Sequence, residues 1–168
     1  MIVEPEYLKC RAKSAATGKW VYGFPVPFPD GISGWALVGD HYFSADREHI
    51  ETPEFTEVLN DTIGRYAGFT DYFNTPAFEG DIIFVDGCNL YGVIRFGRHE
   101  HGNRVKKTVF GFYVEWHGPG WENYRTDVGY WLEKRGAVIR GDVFDDPRYV
   151  ERLGRVVPDG NGGFRYES

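Results

Sequence analysis

The sequence predicts a mostly-β protein built around a small barrel, with one or two short helices. Three observations carry this. Short apolar runs recur between turn signals, the pattern of small barrels. The 168 residues include 22 glycines, 13 Phe, 11 Tyr and 5 Trp but a single Met, and glycine turns between aromatic strands are a β composition. Only two segments carry helix-start signals. The length suits one domain, or a barrel with a companion subdomain, and can bury a core without staples.

In chain order, Leu8–Lys13 and Lys19–Phe24 flank a small-residue turn at Gly18 and read as a hairpin. Trp20, Tyr22 and Phe24 share one face of its second strand. Pro25, Pro27 and Pro29 remove ladder donors, so that stretch is a loop or an edge. Trp35–Val38 and His41–Ser44 flank Gly39-Asp40 as a second hairpin. Thr52-Pro53-Glu54 supplies an N-cap oxygen, a first-turn proline and an acid, and Phe55, Val58 and Leu59 follow at helical spacing. A helix of barely two turns is expected there. Phe78–Val85 is apolar on both faces, as a central strand is. Asp86–Asn89 turns it into a return strand, Tyr91–Phe96, and Val109–Trp116 alternates cleanly. Val128–Leu132 and Ala137–Phe144 read as further strands. Asp145–Arg148 starts a second helix, with Tyr149, Val150 and Leu153 as its stripe and Gly154 as its stop. The boundaries expected are 1–60 for the N-terminal subdomain, 61–153 for the barrel and 154–168 for a flexible tail, with weak edge strands about the Pro158–Gly163 turn.

Bulk properties exclude several classes. No apolar run approaches the ~18–20 residues that span a bilayer. The first residues lack a basic segment followed by an apolar one, so the cytoplasm is the expected location. Cys10 and Cys88 are too few for a disulfide framework and read as reduced thiols. The net charge of −6 runs against a dedicated nucleic-acid coat. The charge is nevertheless polarised. Asp40–Asp61 holds seven acids against Arg47, and Arg95–Lys107 holds five bases against Glu100.

Gly64-Arg65-Tyr66-Ala67-Gly68-Phe69-Thr70-Asp71, followed by Phe78-Glu79-Gly80-Asp81-Ile82-Ile83, resembles the signature of the YopX family of phage and prophage proteins, with the spacing from the Tyr-x-Gly to the Glu-Gly-Asp kept. Leu8–Ala12 with Thr17–Gly23 is similar to the family's opening, and Ile139–Pro147 to its closing block. Asn74 falls where the family has a turn glycine, and Asn tolerates the left-handed region. The resemblance covers roughly residues 8–150. It implies an SH3-like barrel, homo-oligomers, a bacterial host cell and no enzymatic activity.

The residues themselves offer few sites. Gly64 and Gly68 are turn glycines within the matching motif. In Glu79-Gly80-Asp81 the glycine permits a sharp turn and the flanking carboxylates accept backbone amides. A catalytic or metal reading would join Glu79 and Asp81 to Asp86, with no nucleophile or base placed near them. His99 and His101 would share a strand face, but a zinc site needs three or four ligands, and His117 is the one candidate third. Arg95, Arg98, Arg104, Lys106 and Lys107 form a basic stretch, and Trp116, Trp121 and Trp131 belong to an aromatic concentration near Gly118-Pro119-Gly120. These are the candidate partner contacts, with core and subunit interface as the competing role for the aromatics. No catalytic residue, cofactor or metal is expected. The expected function is a non-enzymatic, homo-oligomeric interaction module with a protein partner. The alternative is a nucleic-acid-binding module that sets residues 95–107 against phosphates and aromatics against bases.

Overall fold

The computed structural model describes residues 9–28, 34–38, 55–87, 91–101, 107–118, 120, 124–146, 155–158 and 164–167. The fold is mostly β, and its sheets are antiparallel. The chain forms two compact units, Met1–Gly68 and Phe69–Ser168.

In the first unit, β1 (Cys10–Lys13) and β2 (Trp20–Pro27) pair from Cys10↔Gly23 to Lys13↔Trp20. Gly18, at φ 68, makes their turn. β2 then pairs through its second half with β3 (Trp35–Val38), and β3 pairs with β4 (Phe55–Val58). β5 (Gly64–Thr70) lies on the other side of β1, with Gly64 opposite Arg11. β4 also meets the end of β1: Leu59 N–H donates to the Lys13 carbonyl and Ala15 N–H to the Glu57 carbonyl, each at 2.9 Å. Thr62 completes this corner. Its Oγ1 accepts the Lys13 amide at 2.8 Å and donates to the Leu59 carbonyl at 2.7 Å. Cys10, Ala12, Leu37 and Val58 form the core, with Val21 and Ile63 against it. Beside it the Arg11 guanidinium carbon stands 4.4 Å from the Trp20 ring centroid.

Two expectations change here. Pro25 and Pro27 sit within a strand, at an edge position. Phe28 N–H donates to the Gly34 carbonyl at 3.1 Å. By alternation along the same register, Pro25 and Pro27 therefore turn their nitrogens away from β3. On that side the described β1 ladder runs only to Gly23, so neither ring interrupts a bond of the described ladder. The expected helix at Phe55 is strand β4, followed by one 3-10 turn, Asn60–Thr62. Phe55 is 61% exposed and Val58 4%, so residues three apart lie on opposite faces, as in a strand. The second-hairpin strand at His41–Ser44 lies outside the described residues.

In the second unit, β6 (Pro76–Phe78), β7 (Asp81–Phe84), β8 (Tyr91–His101), β9 (Lys107–His117) and β10 (Val138–Asp142) follow in order. β5 and β6 meet at a turn built on Asp71, whose Oδ1 accepts the Phe73 and Thr75 amides, both at 2.9 Å. Asn74 closes the turn at φ 62. Asp71 Oδ2 takes the Ile139 amide at 3.0 Å and so ties the turn to β10. The main sheet runs β10-β7-β8-β9. Ile82 and Ile83 are both fully buried, which makes β7 apolar on two faces. Ile82, Val93 and Val143 pack on one side with Phe84, Tyr91 and Phe144. β11 (Arg155–Pro158) and β12 (Phe164–Glu167) pair with each other, at the place in the tail where two weak edge strands were expected.

The closed barrel expected of this region is an open sheet. Among the described residues no pairing joins β9 back to β10. The strand expected at Val128–Leu132 is helical. Asp127 Oδ1 accepts the Tyr130 amide at 2.8 Å, and Arg135 N–H reaches the Tyr130 carbonyl, a π-helical turn over Tyr130–Lys134. Val128, Trp131 and Leu132 are buried at spacings of three and four, a helical stripe too short to read as one. The helix expected from Asp145–Arg148 onward lies largely outside the described residues. The division falls at Gly68, inside β5, whose start pairs with β1.

Gly80 joins three strands. Its N–H donates to the Ile94 carbonyl of β8 at 2.8 Å, and its carbonyl accepts the Val143 amide after β10 at 3.0 Å. Its φ is 90, and an added Cβ would stand 2.9 Å from Phe144. Asp81, 1% exposed, accepts the Phe78 amide at 2.7 Å and closes the same turn.

Gly80→Val is expected to cost about 1–3 kcal/mol, from backbone strain together with the Phe144 clash. Gly87→Val is the comparison: Gly87 has a similar φ of 80, but a Cβ there meets nothing within 4 Å. Thermal melts should place Gly80→Val clearly below Gly87→Val, and equal melting temperatures would contradict the assignment.

A second expectation concerns Asp71. Burial pushes its carboxyl up, but the Ile139, Thr75 and Phe73 amides outweigh this and hold it below the usual range. A lowered folded-state value stabilises the fold above the unfolded-state value and is lost as pH falls through the folded one. Stability should therefore decline from about pH 5 toward pH 2. Asp71→Asn should flatten that decline in denaturant titrations, at a cost of roughly 1–3 kcal/mol near neutrality.

Candidate interaction surface on the β8–β9 hairpin

β8 and β9 alternate strictly and pair without a shift from Tyr91↔His117 to His101↔Lys107. Even-numbered side chains therefore share one face and odd-numbered ones the other. At the base of the even face Ile94, Val114 and Trp116 are buried. Gly92 lies opposite Trp116, and a Cβ there would stand 2.3 Å from Val114, so only glycine permits this packing. Trp116 and Trp131 meet edge to face at 4.7 Å, with Tyr124 beside both. Both indole N–H groups donate to one acceptor, the Arg125 carbonyl, at 2.7 Å each.

The odd face carries a polar stripe. Arg95 Nε donates to Glu115 Oε2 at 2.9 Å, and His117 Nε2 lies 3.7 Å from the same oxygen. His117 stacks on Tyr91 at 5.3 Å, and His99 on Tyr113 at 4.5 Å. Burial pushes the Glu115 carboxyl up, but His117 and Arg95 together hold it below the usual range. Burial and the neighbouring Glu115 raise the Tyr113 phenol. The stripe thus pairs Arg95 with Glu115 and stacks two imidazoles on tyrosine rings.

Beyond Gly97 and Gly111, which face each other, the hairpin changes character. Phe96 packs edge to face against Phe110 at 5.0 Å and Phe112 at 4.8 Å. Phe110 is nevertheless 71% exposed. Lys107, Thr108 and Val109 beside it are exposed, as are Arg98 and Glu100 on β8. β9 is the last strand of its sheet.

The expected partner contacts thus fall into four groups. Arg98 and Lys107 lie on the exposed arm, whereas Arg95 turns inward to Glu115. Trp116 and Trp131 are buried core residues and offer nothing to a partner. Arg104, Lys106 and Trp121 lie outside the described residues. Gly64 is buried at the start of β5, Gly68 has φ 81 within it, and Glu79, Gly80 and Asp81 form the turn between β6 and β7. Asp81 is enclosed on the Phe78 amide, and Asp86 is exposed past β7, so the three acids do not converge on solvent. His117 and His99 stand eight ladder positions apart, roughly 27 Å, too far to share a metal. Among the described residues no three metal-ligating side chains come together, and no helix is long and apolar enough to cross a membrane. Asp71 and the Arg125 carbonyl organise the unit, yet neither is marked by composition. The turn asparagine at 74 is the one signal that points to Asp71.

Comparison with family models, characterised proteins and solved structures finds no match to this chain.

Arg95→Gln should let the Glu115 carboxyl titrate at higher pH, because the guanidinium is one of the groups that hold it down. Carboxyl-detected NMR titration reads this directly. The stability loss at neutral pH should stay within about 1 kcal/mol, since the pair is partly solvated.

Proposed function

We propose that this chain is a YopX-like phage or prophage accessory protein, a non-enzymatic interaction module that assembles as a homo-oligomer in the cytoplasm of a bacterial host. One observation carries the reading: the β8–β9 hairpin pairs Arg95 with Glu115 at its base and exposes Phe110 on its far arm. An exposed Phe110 with Val109 beside it on an edge strand suits protein contact. The three sequence blocks of the family resemblance support the name, and an SH3-like barrel left open along β9 is the finer architecture we assign to the second unit.

A second reading has its own support. Arg98 and Lys107 are exposed near Phe110, a basic and aromatic combination suited to single-stranded nucleic acid. The net charge of −6 opposes it at long range.

Light scattering should give a mass above the 19.2 kDa chain at micromolar concentration. Mobility-shift titrations with single- and double-stranded DNA at physiological salt should show no micromolar binding. DNA binding abolished by Arg98→Glu with Lys107→Glu would replace the first reading with the second.

A further inference from the structure

We infer that two copies of this chain join through the outer edge of β9, antiparallel about a two-fold axis that passes between their Phe110 residues. The inference rests on the homo-oligomeric reading above and names its interface.

The backbone bonds locate the edge. Val114 N–H donates to the Thr126 carbonyl at 2.8 Å, and the Ile94 carbonyl accepts from Gly80. Ile94 and Val114 are ladder partners, so theirs is a non-hydrogen-bonded pair. The register holds along the whole hairpin, so Thr108, Phe110 and Phe112 also aim N–H and C=O away from β8. Among the described residues no strand lies along them. The segment Thr108–Phe112 has no charge and no proline, the usual devices that blunt an edge.

The edge also has an end. Thr126 occupies the next outward position, at Val114, so an added strand has three positions to fill. A second β9 centred on Phe110 fills them all. Thr108 pairs with the partner's Phe112, Phe110 with the partner's Phe110, and Phe112 with the partner's Thr108. Moving the axis one residue toward Gly111 sets Thr108 against the partner's Val114, whose amide is taken. Moving it toward Val109 leaves Phe112 without one of these partners.

The side chains agree with that register. On one face Phe110 meets the partner's Phe110, about 5.5 Å away between Cα atoms, an aromatic cross-strand pair that covers an exposed ring. On the other, Val109 lies opposite the partner's Gly111, bulk against none. Lys107 falls opposite the partner's Tyr113 and diagonal to the partner's Glu115, opposite in charge. No like charges face each other across the described part of the axis, as a self-complementary interface requires.

The test compares wild type with Phe110→Lys, Thr108→Lys and Tyr72→Lys by sedimentation velocity, with circular dichroism to verify folding. Tyr72, 75% exposed on the β5–β6 turn, is the control away from the edge. Wild type and Tyr72→Lys should sediment at twice the 19.2 kDa chain mass, with both edge variants shifted about tenfold or more toward monomer. Folded edge variants that dimerise like wild type would overturn the interface and leave the oligomeric reading standing. A monomeric wild type would overturn both. Should the edge variants misfold, amide exchange on wild type decides. Protection of Thr108, Phe110 and Phe112 that rises with protein concentration supports the pairing, and concentration-independent exchange rejects it.

Discussion

The second unit depends on the turn at Gly80. A single residue there bonds through its N–H to β8 and through its carbonyl to the end of β10, while the next residue buries a carboxylate on the Phe78 amide. Two strands that are distant in sequence are thereby set on either side of β7. The turn needs a left-handed backbone and no Cβ, so geometry and chemistry select glycine together. Asp71 repeats the arrangement at the neighbouring turn, where one carboxylate gathers three amides from β10 and its own loop. In both places an acid beside a turn replaces bonds that a ladder would have made, which is how a sheet with short inner strands satisfies its backbone.

From that frame the long hairpin follows. Its base is covered on both faces, by Val143 and Phe144 on one and by the tryptophans on the other. Beyond the facing glycines 97 and 111 nothing described covers it, and the exposed side chains there are Thr108, Val109 and Phe110 with the charges of Arg98, Glu100 and Lys107. The same two strands therefore serve as core at one end and as surface at the other. Arg95 marks the boundary, with its guanidinium turned back to Glu115.

Much of this architecture is legible in the sequence where one residue type has one structural meaning. The Gly18 hairpin, the two-sided apolar run at Ile82-Ile83 and the left-handed turn at Asn74 are examples. Legibility fails where short patterns serve two periods. Phe55, Val58 and Leu59 fit a helix on paper, but pairing with β3 decides for a strand. Val128–Leu132 fits a strand, but the Asp127 cap and three buried residues decide for a helical turn. The site was harder still. A run of bases suggests one surface, yet Arg95 is separated from Arg98 by the alternation of a strand, and only the fold shows which faces inward. The shared acceptor of the two indoles is a main-chain carbonyl and leaves no trace in residue identity.

Pro25 and Pro27 give β2 a lopsided border. Over two successive ladder positions its outer side presents carbonyls and no amides, so that stretch can accept hydrogen bonds but never give them. An incoming strand would leave its own carbonyls unmatched there, and only a donor-rich group could dock without loss. The described β1 ladder runs to the Cys10↔Gly23 pair, and the next β2 residue aimed to that side is Pro25, which has no N–H to give. Both prolines thus restrict what that side of β2 can bond to while leaving its pairing with β3 intact.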